Sequence, residues 1–401
     1  MTNKKLPTRK LSIKIFPFLT VITVIIYFSC FNSPKVNHSD FDIKILEIGK
    51  GTGSIEVADF NNDTFPDIAL ANAEDSSITI LLGDGKGKFT KTEGSPIFAN
   101  RFPNDIAIAD FDKDGNLDLG IANTETSMLT ILLGNGKGQF HQAVRSPFIV
   151  HSKPHTHGIS IGDFDGDGNL DLATDSWGVN KILIIFGDGK LNFNSETFYK
   201  VGNRPYQRLR TQDFNKDGKP DIVTTNLEGN NATVLLNDGK GKFHEAEGSP
   251  FACGDAPFGV AIGDVNGDGN LDLAIANSPT ITAESKGKDG LWILLGDGTG
   301  KFSSLAGSPF KTGKSPSRVA IGDLDGDGIN DIVVTNYNEK SISIFYMGKG
   351  TVFETKTITV GNRPDGISIH DMNSDGRNDI LVSNYDDGTI MVLFNNSYNR
   401  E

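Results

Sequence analysis

The stretch DFDGDGNLD, running from Asp163 to Asp171, decides the fold. Carboxylates stand at its positions 1, 3, 5 and 9, and Gly168 stands at position 6. Oxygens at that spacing, with a glycine for the sharp turn and the position 7 carbonyl, can wrap one hard cation that wants about six to eight oxygen ligands.

The pattern D-x-[DN]-x-D-x-x-x-D recurs seven times, beginning at Asp59, Asp110, Asp163, Asp213, Asp264, Asp323 and Asp371, with successive starts 48 to 59 residues apart. The same text surrounds each copy. An alternating apolar run leads in (VAIGD after Gly259, ISIHD after Gly366), and a second follows (LDLAIAN, NDIVVTN). A third comes next (ITILLG, WILLGD), then a Gly-rich turn. These runs are short, rich in Ile, Val and Leu, and bounded by Gly, Asp and Asn, which is strand grammar. No segment carries an apolar period of 3.6. A fourth strand is predicted from the Phe after each Gly-rich turn: Phe89, Phe140, Phe193, Phe243, Phe302 and Phe353.

Four strands per unit, repeated radially, is how a propeller protects its sheet edges. The expected fold is therefore all-β, a seven-bladed propeller of four-stranded antiparallel blades over residues 41–401. The last unit ends at Met391 and its tail without a fourth strand, whereas FDIKILEIG (41–49) resembles FETKTITVG (353–361). The segment 41–49 is expected to close the last blade as its outermost strand.

Position by position, the predicted ligands are Asp59, Asn61, Asp63 and Asp67 in the first loop, then Asp110, Asp112, Asp114 and Asp118 in the second. The third loop offers Asp163, Asp165, Asp167 and Asp171, and the fourth Asp213, Asn215, Asp217 and Asp221. Asp264, Asn266, Asp268 and Asp272 follow, then Asp323, Asp325, Asp327 and Asp331, and lastly Asp371, Asn373, Asp375 and Asp379. Asn at position 3 keeps the oxygen and drops a charge. Ordinary Asp-Gly turn chemistry does not account for three or four carboxylates within nine residues in seven places, because an empty loop would suffer their repulsion. Up to seven structural Ca²⁺ ions are expected, and they would offset the chain's net charge of −13. Thr64 replaces the position 6 glycine, so the first loop is expected to be the weakest site. Position 12 after Asp110 is Ile121 rather than Glu, and strands flank the loop, which excludes an EF-hand.

Through these repeats, residues 41–401 resemble the FG-GAP-like, or VCBS-type, repeat family, whose propellers include the head of integrin α subunits. The Phe-Gly and Gly-Ala-Pro signature is approached only at Asp255-Ala256-Pro257-Phe258-Gly259, so the resemblance is to the broader bacterial branch.

The N-terminus reads as targeting. Lys4, Lys5, Arg9, Lys10 and Lys14 precede an apolar run from Ile15 to Phe28, followed by Ser29-Cys30. That run is short of the roughly 20 residues a spanning helix needs. It resembles a bacterial lipoprotein signal over residues 1–29, with Cys30 as the lipidated residue and 30–40 as a tether; an uncleaved anchor and plain secretion are the alternatives. An extracytoplasmic, membrane-anchored protein at the outer membrane or cell surface is expected. The acidic balance and the lack of a basic stripe exclude nucleic acid as a partner. Cys253, in the polar-looking segment Phe251–Asp255, reads as an incidental thiol.

Strand alternation puts the acidic loops on one face and the more variable links between blades on the other. The residues six and five before each first Asp are Gly53-Ser54, Asn104-Asp105, His157-Gly158, Gln207-Arg208, Phe258-Gly259, Ser317-Arg318 and Asp365-Gly366, and these should ring the channel mouth. The third link carries His151, His155 and His157, three of the seven histidines, and an insertion at 278–290 falls on the same face. Asp105, His155, His157, Arg208 and Arg318 are the candidate ligand-binding set. Tyr206, Phe258 and Trp177 are expected to be exposed there. No nucleophile elbow, zincin helix or acid/base pair is present, so no catalytic residue is assigned. The expected function is a non-catalytic binding or adhesion module for an extracellular protein or glycan. The alternatives are a carbohydrate-active lyase or hydrolase near His155 and His157, and a structural envelope component.

Overall fold

The computed structural model describes residues 40–279 and 287–396. The leader (1–29), Cys30, the tether up to residue 39 and part of the insertion in the fifth unit lie outside the described residues.

Seven antiparallel sheets form the ring; six are built in chain order from the inside outward, and the seventh takes its outermost strand from the start of the chain. Blade 1 runs Thr52–Ala58, Asp67–Asn72, Ser77–Gly83 and Phe89–Lys91. In blade 7, Phe41–Glu47 pairs antiparallel with Thr389–Asn395, from Phe41 opposite Asn395 to Glu47 opposite Thr389. The expected closure is what the chain does. Blades 1, 2 and 4 add a short return segment against the third strand, such as Ile97–Phe98, because the outermost strand turns away after three residues.

The second strand of every blade is buried at all six positions, from the position 9 Asp onward. A sheet sandwiched between neighbours has no wet face, which explains the near-continuous apolar text. The core is divided accordingly into clusters, one per blade interface. At the closing interface, Ile55, Ile68 and Leu70 of blade 1 pack on Leu381, Ile390 and Val392 of blade 7. That seam is packed from buried aliphatic side chains, as the other interfaces are.

The innermost strands of six blades break register at one place, for example between Thr52 and Ile55, Pro103 and Asp105, and Pro316 and Val319. A bulge bends its strand and re-aims the side chains around it. Here it lies at the positions expected to face the axis.

One expectation fails. Cys253 is not in a solvated loop but fully buried, packed with Val234, Phe251 and Ile275 between blades 4 and 5. The segment looks polar because its neighbours Gly254 and Asp255 turn outward while the thiol fills an inter-blade gap. Burial pushes the thiol's pKa well up, which agrees with an inert cysteine.

Candidate functional site

The acidic loops have one architecture. The position 9 Asp is fully buried in all seven. In blade 3, Asp171 Oδ2 accepts the Phe164 N–H (2.8 Å) and Oδ1 accepts the Gly187 N–H (2.8 Å). The same pair of bonds recurs in every blade, tying the loop's start to the end of the third strand. The position 1 Asp folds the turn: Asp163 accepts the N–H groups of Gly166 and Gly168 at 2.8 and 2.9 Å. Burial outweighs these bonds and pushes the position 9 carboxyls up to about 6, and Asp331 to about 7.

Each oxygen so engaged keeps a second lone pair. In three loops, Asp110, Asp112 and Asp118, Asp163, Asp165 and Asp171, and Asp323, Asp325 and Asp331, carboxylate oxygens lie within 4.8 Å of one another. These triads can hold a metal ion, and an all-oxygen, all-anionic donor set suits a hard one. The four loops with Asn at position 3 keep the same turn bonds, as in Asp268 N–H to Asn266 Oδ1 at 2.8 Å. At position 6 the backbone is left-handed throughout. Six loops use glycine there, whereas Thr64 sits at φ 74°. A β-branched residue is strained in that region.

Adjacent loops are laced together. Where position 4 is lysine its side chain reaches position 7 of the next loop: Lys113 Nζ donates to Asn169 Oδ1 (2.8 Å), and Lys216 Nζ to Asn270 Oδ1 (2.7 Å).

On the opposite side of the ring, the five candidate residues separate into two groups. Asp105, Arg208 and Arg318 lie on the axis. Asp105 is fully buried and accepts from Arg208 Nη1, from Arg210 Nη1 (3.3 Å) and from the Ile159 N–H (3.2 Å). Arg318 donates Nε and Nη2 to Asp365 at 3.2 and 3.4 Å. Arg208, Arg210 and Arg318 line a cavity of about 40 Å³ together with Ser54, Glu56, Gly259 and Gly366, while Asp105 and Asp365 hold the guanidiniums from behind. Five of the residues expected at the mouth, those five before the acidic loops of blades 1, 4, 5, 6 and 7, line it. At two of them glycine is required by close backbone approach: a Cβ on Gly259 would meet the Ser317 carbonyl at 2.1 Å, and one on Gly366 the Gly53 carbonyl at 2.1 Å. Glu56 and Arg210, two residues further along their strands, face the axis by the same period of two and were not singled out from sequence.

His155 and His157 are off the axis, in an aromatic cluster between blades 3 and 4. The His157 ring lies 4.2 Å from Tyr206 and 4.8 Å from His155, and Trp177 packs against both histidines. His157 Nδ1 lies 3.0 Å from Asp175 Oδ2, with both side chains 1% exposed. Asp175 Oδ1 also accepts the N–H groups of His157 and Gly158. Asp175 escaped the sequence reading, yet its signal was available: it stands in LDLATDS where other blades place Ala, Thr or Ser in a fully buried strand. Trp177 and Tyr206 are half-buried, but Phe258 is buried beneath Tyr206 rather than exposed. Burial lowers the pKa of the half-buried His155.

Arginines from the blade links cover aromatic rings on this face. The Arg204 guanidinium lies 5.0 Å from the Trp177 ring centre and 5.2 Å from that of Tyr206, and it pairs with Glu228. Arg363 does the same between Tyr337 (4.6 Å) and Tyr385 (5.0 Å), pairing with Asp386.

Among solved structures, the chain is similar to a streptogramin B lyase at 14% identity, covering 89% of this chain and 99% of the other, with a TM-score of 0.58. It is similar to a lectin of Agrocybe aegerita described as recognising non-reducing terminal N-acetylglucosamine (18% identity, 84% and 87% covered, TM-score 0.53). A virginiamycin B lyase of Staphylococcus aureus, in a catalytically inactive form with quinupristin, matches at 16% identity over 88% and 99%, with a TM-score of 0.55. At these identities the likeness is one of fold. No curated protein sequence matches the chain. The FG-GAP-like repeat pattern matches residues 59–121, 119–174, 213–275, 281–334 and 323–382. Those matches span more than half of the chain and fall on the blades just described, so the chain belongs to the FG-GAP-like repeat family.

Proposed function

We propose that this chain is an extracytoplasmic, calcium-stabilised propeller, lipid-anchored through Cys30, that binds an extracellular protein or glycan without turning it over. The acidic loops are its structural face. Calcium suits them because the donors are all oxygen and backbone-tethered, and because neutralising stacked carboxylates offsets their repulsion. The opposite face carries recognition.

The observation behind this reading is the half-buried Trp177–Tyr206–His155 surface with Arg204 laid over it. Flat rings beside a polar rim and a guanidinium suit a sugar face or a peptide. The closure of His157 against Asp175 weighs against turnover, since a general base must reach its substrate's proton. Lyases and lectins share this ring, so the fold itself favours neither task.

The test is a glycan array and a pull-down with the full chain, with and without calcium. Binding that falls by at least about tenfold in Trp177→Ala supports the reading. Full binding by that variant refutes it.

A further inference from the structure

Arg318 is 5% exposed, and its Nη1 has no hydrogen-bond partner. A buried guanidinium nitrogen left unpaired costs free energy unless something outside the chain accepts from it. The other two nitrogens are spoken for, Nε and Nη2 by Asp365 and Nη2 also by the Asn104 carbonyl. Arg318 lines the axial cavity, whose volume of about 40 Å³ exceeds the 10–15 Å³ or so that one water needs. The geometry points to a site on the ring axis for a carboxylate or other small oxyanion, taken by Arg318 Nη1 with Arg208 and Arg210 alongside. This goes beyond the aromatic surface and does not depend on it.

Charge supports the assignment. Three guanidiniums meet at the cavity, against the carboxylates of Asp105, Asp365 and Glu56. Burial raises the Glu56 carboxyl to about 7, with Asp105 adding to the shift and Arg210 and Arg318 opposing it. With Glu56 protonated, the site holds one more positive charge than negative, and an entering anion balances it. The planar guanidinium fork fits carboxylate and tetrahedral oxyanions alike. Two of the positions lining the cavity are glycines, Gly259 and Gly366, which put no side chain into it.

The test is calorimetric titration of the full chain, in calcium, with acetate, inorganic phosphate, sulfate and glucuronate. Arg318→Lys keeps a cation opposite Asp365 but removes the fork, and it is expected to weaken binding by about tenfold or more. Binding of the simple anions makes this a free-ion site. Binding of glucuronate alone makes it a pocket for the acid of a larger ligand. Either result, with the Arg318→Lys loss, supports the assignment. If no probe binds, or the variant binds as the parent does, the cavity holds only water and the inference falls. Should the variant fail to fold, a selenate soak of parent crystals decides: density within hydrogen-bond distance of Arg318 Nη1 supports the site, and its absence overturns it.

Discussion

Asp379 holds Asn395: its Oδ1 accepts the Asn395 backbone N–H at 2.8 Å, while its Oδ2 accepts that of Met372 at 2.9 Å. One side chain thereby fastens the start of the last acidic loop to the end of the last strand. The position 9 carboxylates are clasps as well as candidate ligands, and the two roles can be separated. Asp379→Ala leaves two buried N–H groups unpaired and is expected to cost about 3 kcal/mol in urea unfolding, with or without chelator. A loss that disappears in EDTA would reduce Asp379 to a metal ligand alone.

Chelation is expected to lower the melting temperature strongly, because it leaves the carboxylates of each loop facing one another. Scanning calorimetry in calcium and in EDTA checks this. An unchanged Tm would show that the loops need no ion.

Thr64 bears backbone strain that its six glycine counterparts avoid. Thr64→Gly is expected to stabilise the chain by about 1 kcal/mol and to tighten metal binding at the first loop. Chemical denaturation of the variant beside the parent measures it, and destabilisation would contradict the strain argument.

Glu56 supplies a pH dependence of unusual sign for a carboxylate. Its folded pKa is raised to about 7 from an ordinary 4.5, so its contribution to stability is complete below the ordinary value and is lost as pH rises through 7. Glu56→Gln is therefore expected to raise stability relative to the parent at pH 8 and to change it little at pH 4. A stability difference independent of pH would show that the arginines offset the burial and leave the carboxyl with the same pKa folded and unfolded.

Cys253 is expected to resist thiol reagents in the native chain and to react fully once urea unfolds it. Rapid labelling without denaturant would mean that the seam between blades 4 and 5 opens readily.

The ring was legible because its text repeats: seven acidic loops count the blades, and the likeness of Phe41–Gly49 to Phe353–Gly361 gives the closure. The axial ring was half legible. Counting back from each loop found Asp105, Arg208 and Arg318, but the bulge that aims them depends on pairing with the second strand, which no single segment encodes. His155 and His157 share a link with residues that reach the axis, yet Asp175 draws His157 away from it. That carboxylate was hidden in a run read only for its apolar character. Cys253 looked solvated because Gly254 and Asp255 beside it turn outward, and Phe258 looked exposed because Tyr206, which covers it, comes from another blade.

The pairing of Phe41–Glu47 with Thr389–Asn395 has a mechanical consequence. Tension transmitted through the N-terminus arrives at Asp40, which Lys356 of blade 6 holds by an ion pair at 2.8 Å, and then at the Phe41–Glu47 ladder. The strand that locks the ring is thus also the first ladder to bear a pull, and its rupture would let the whole array unwind. The same strand sets both the toughness of the assembly and the point at which it gives way.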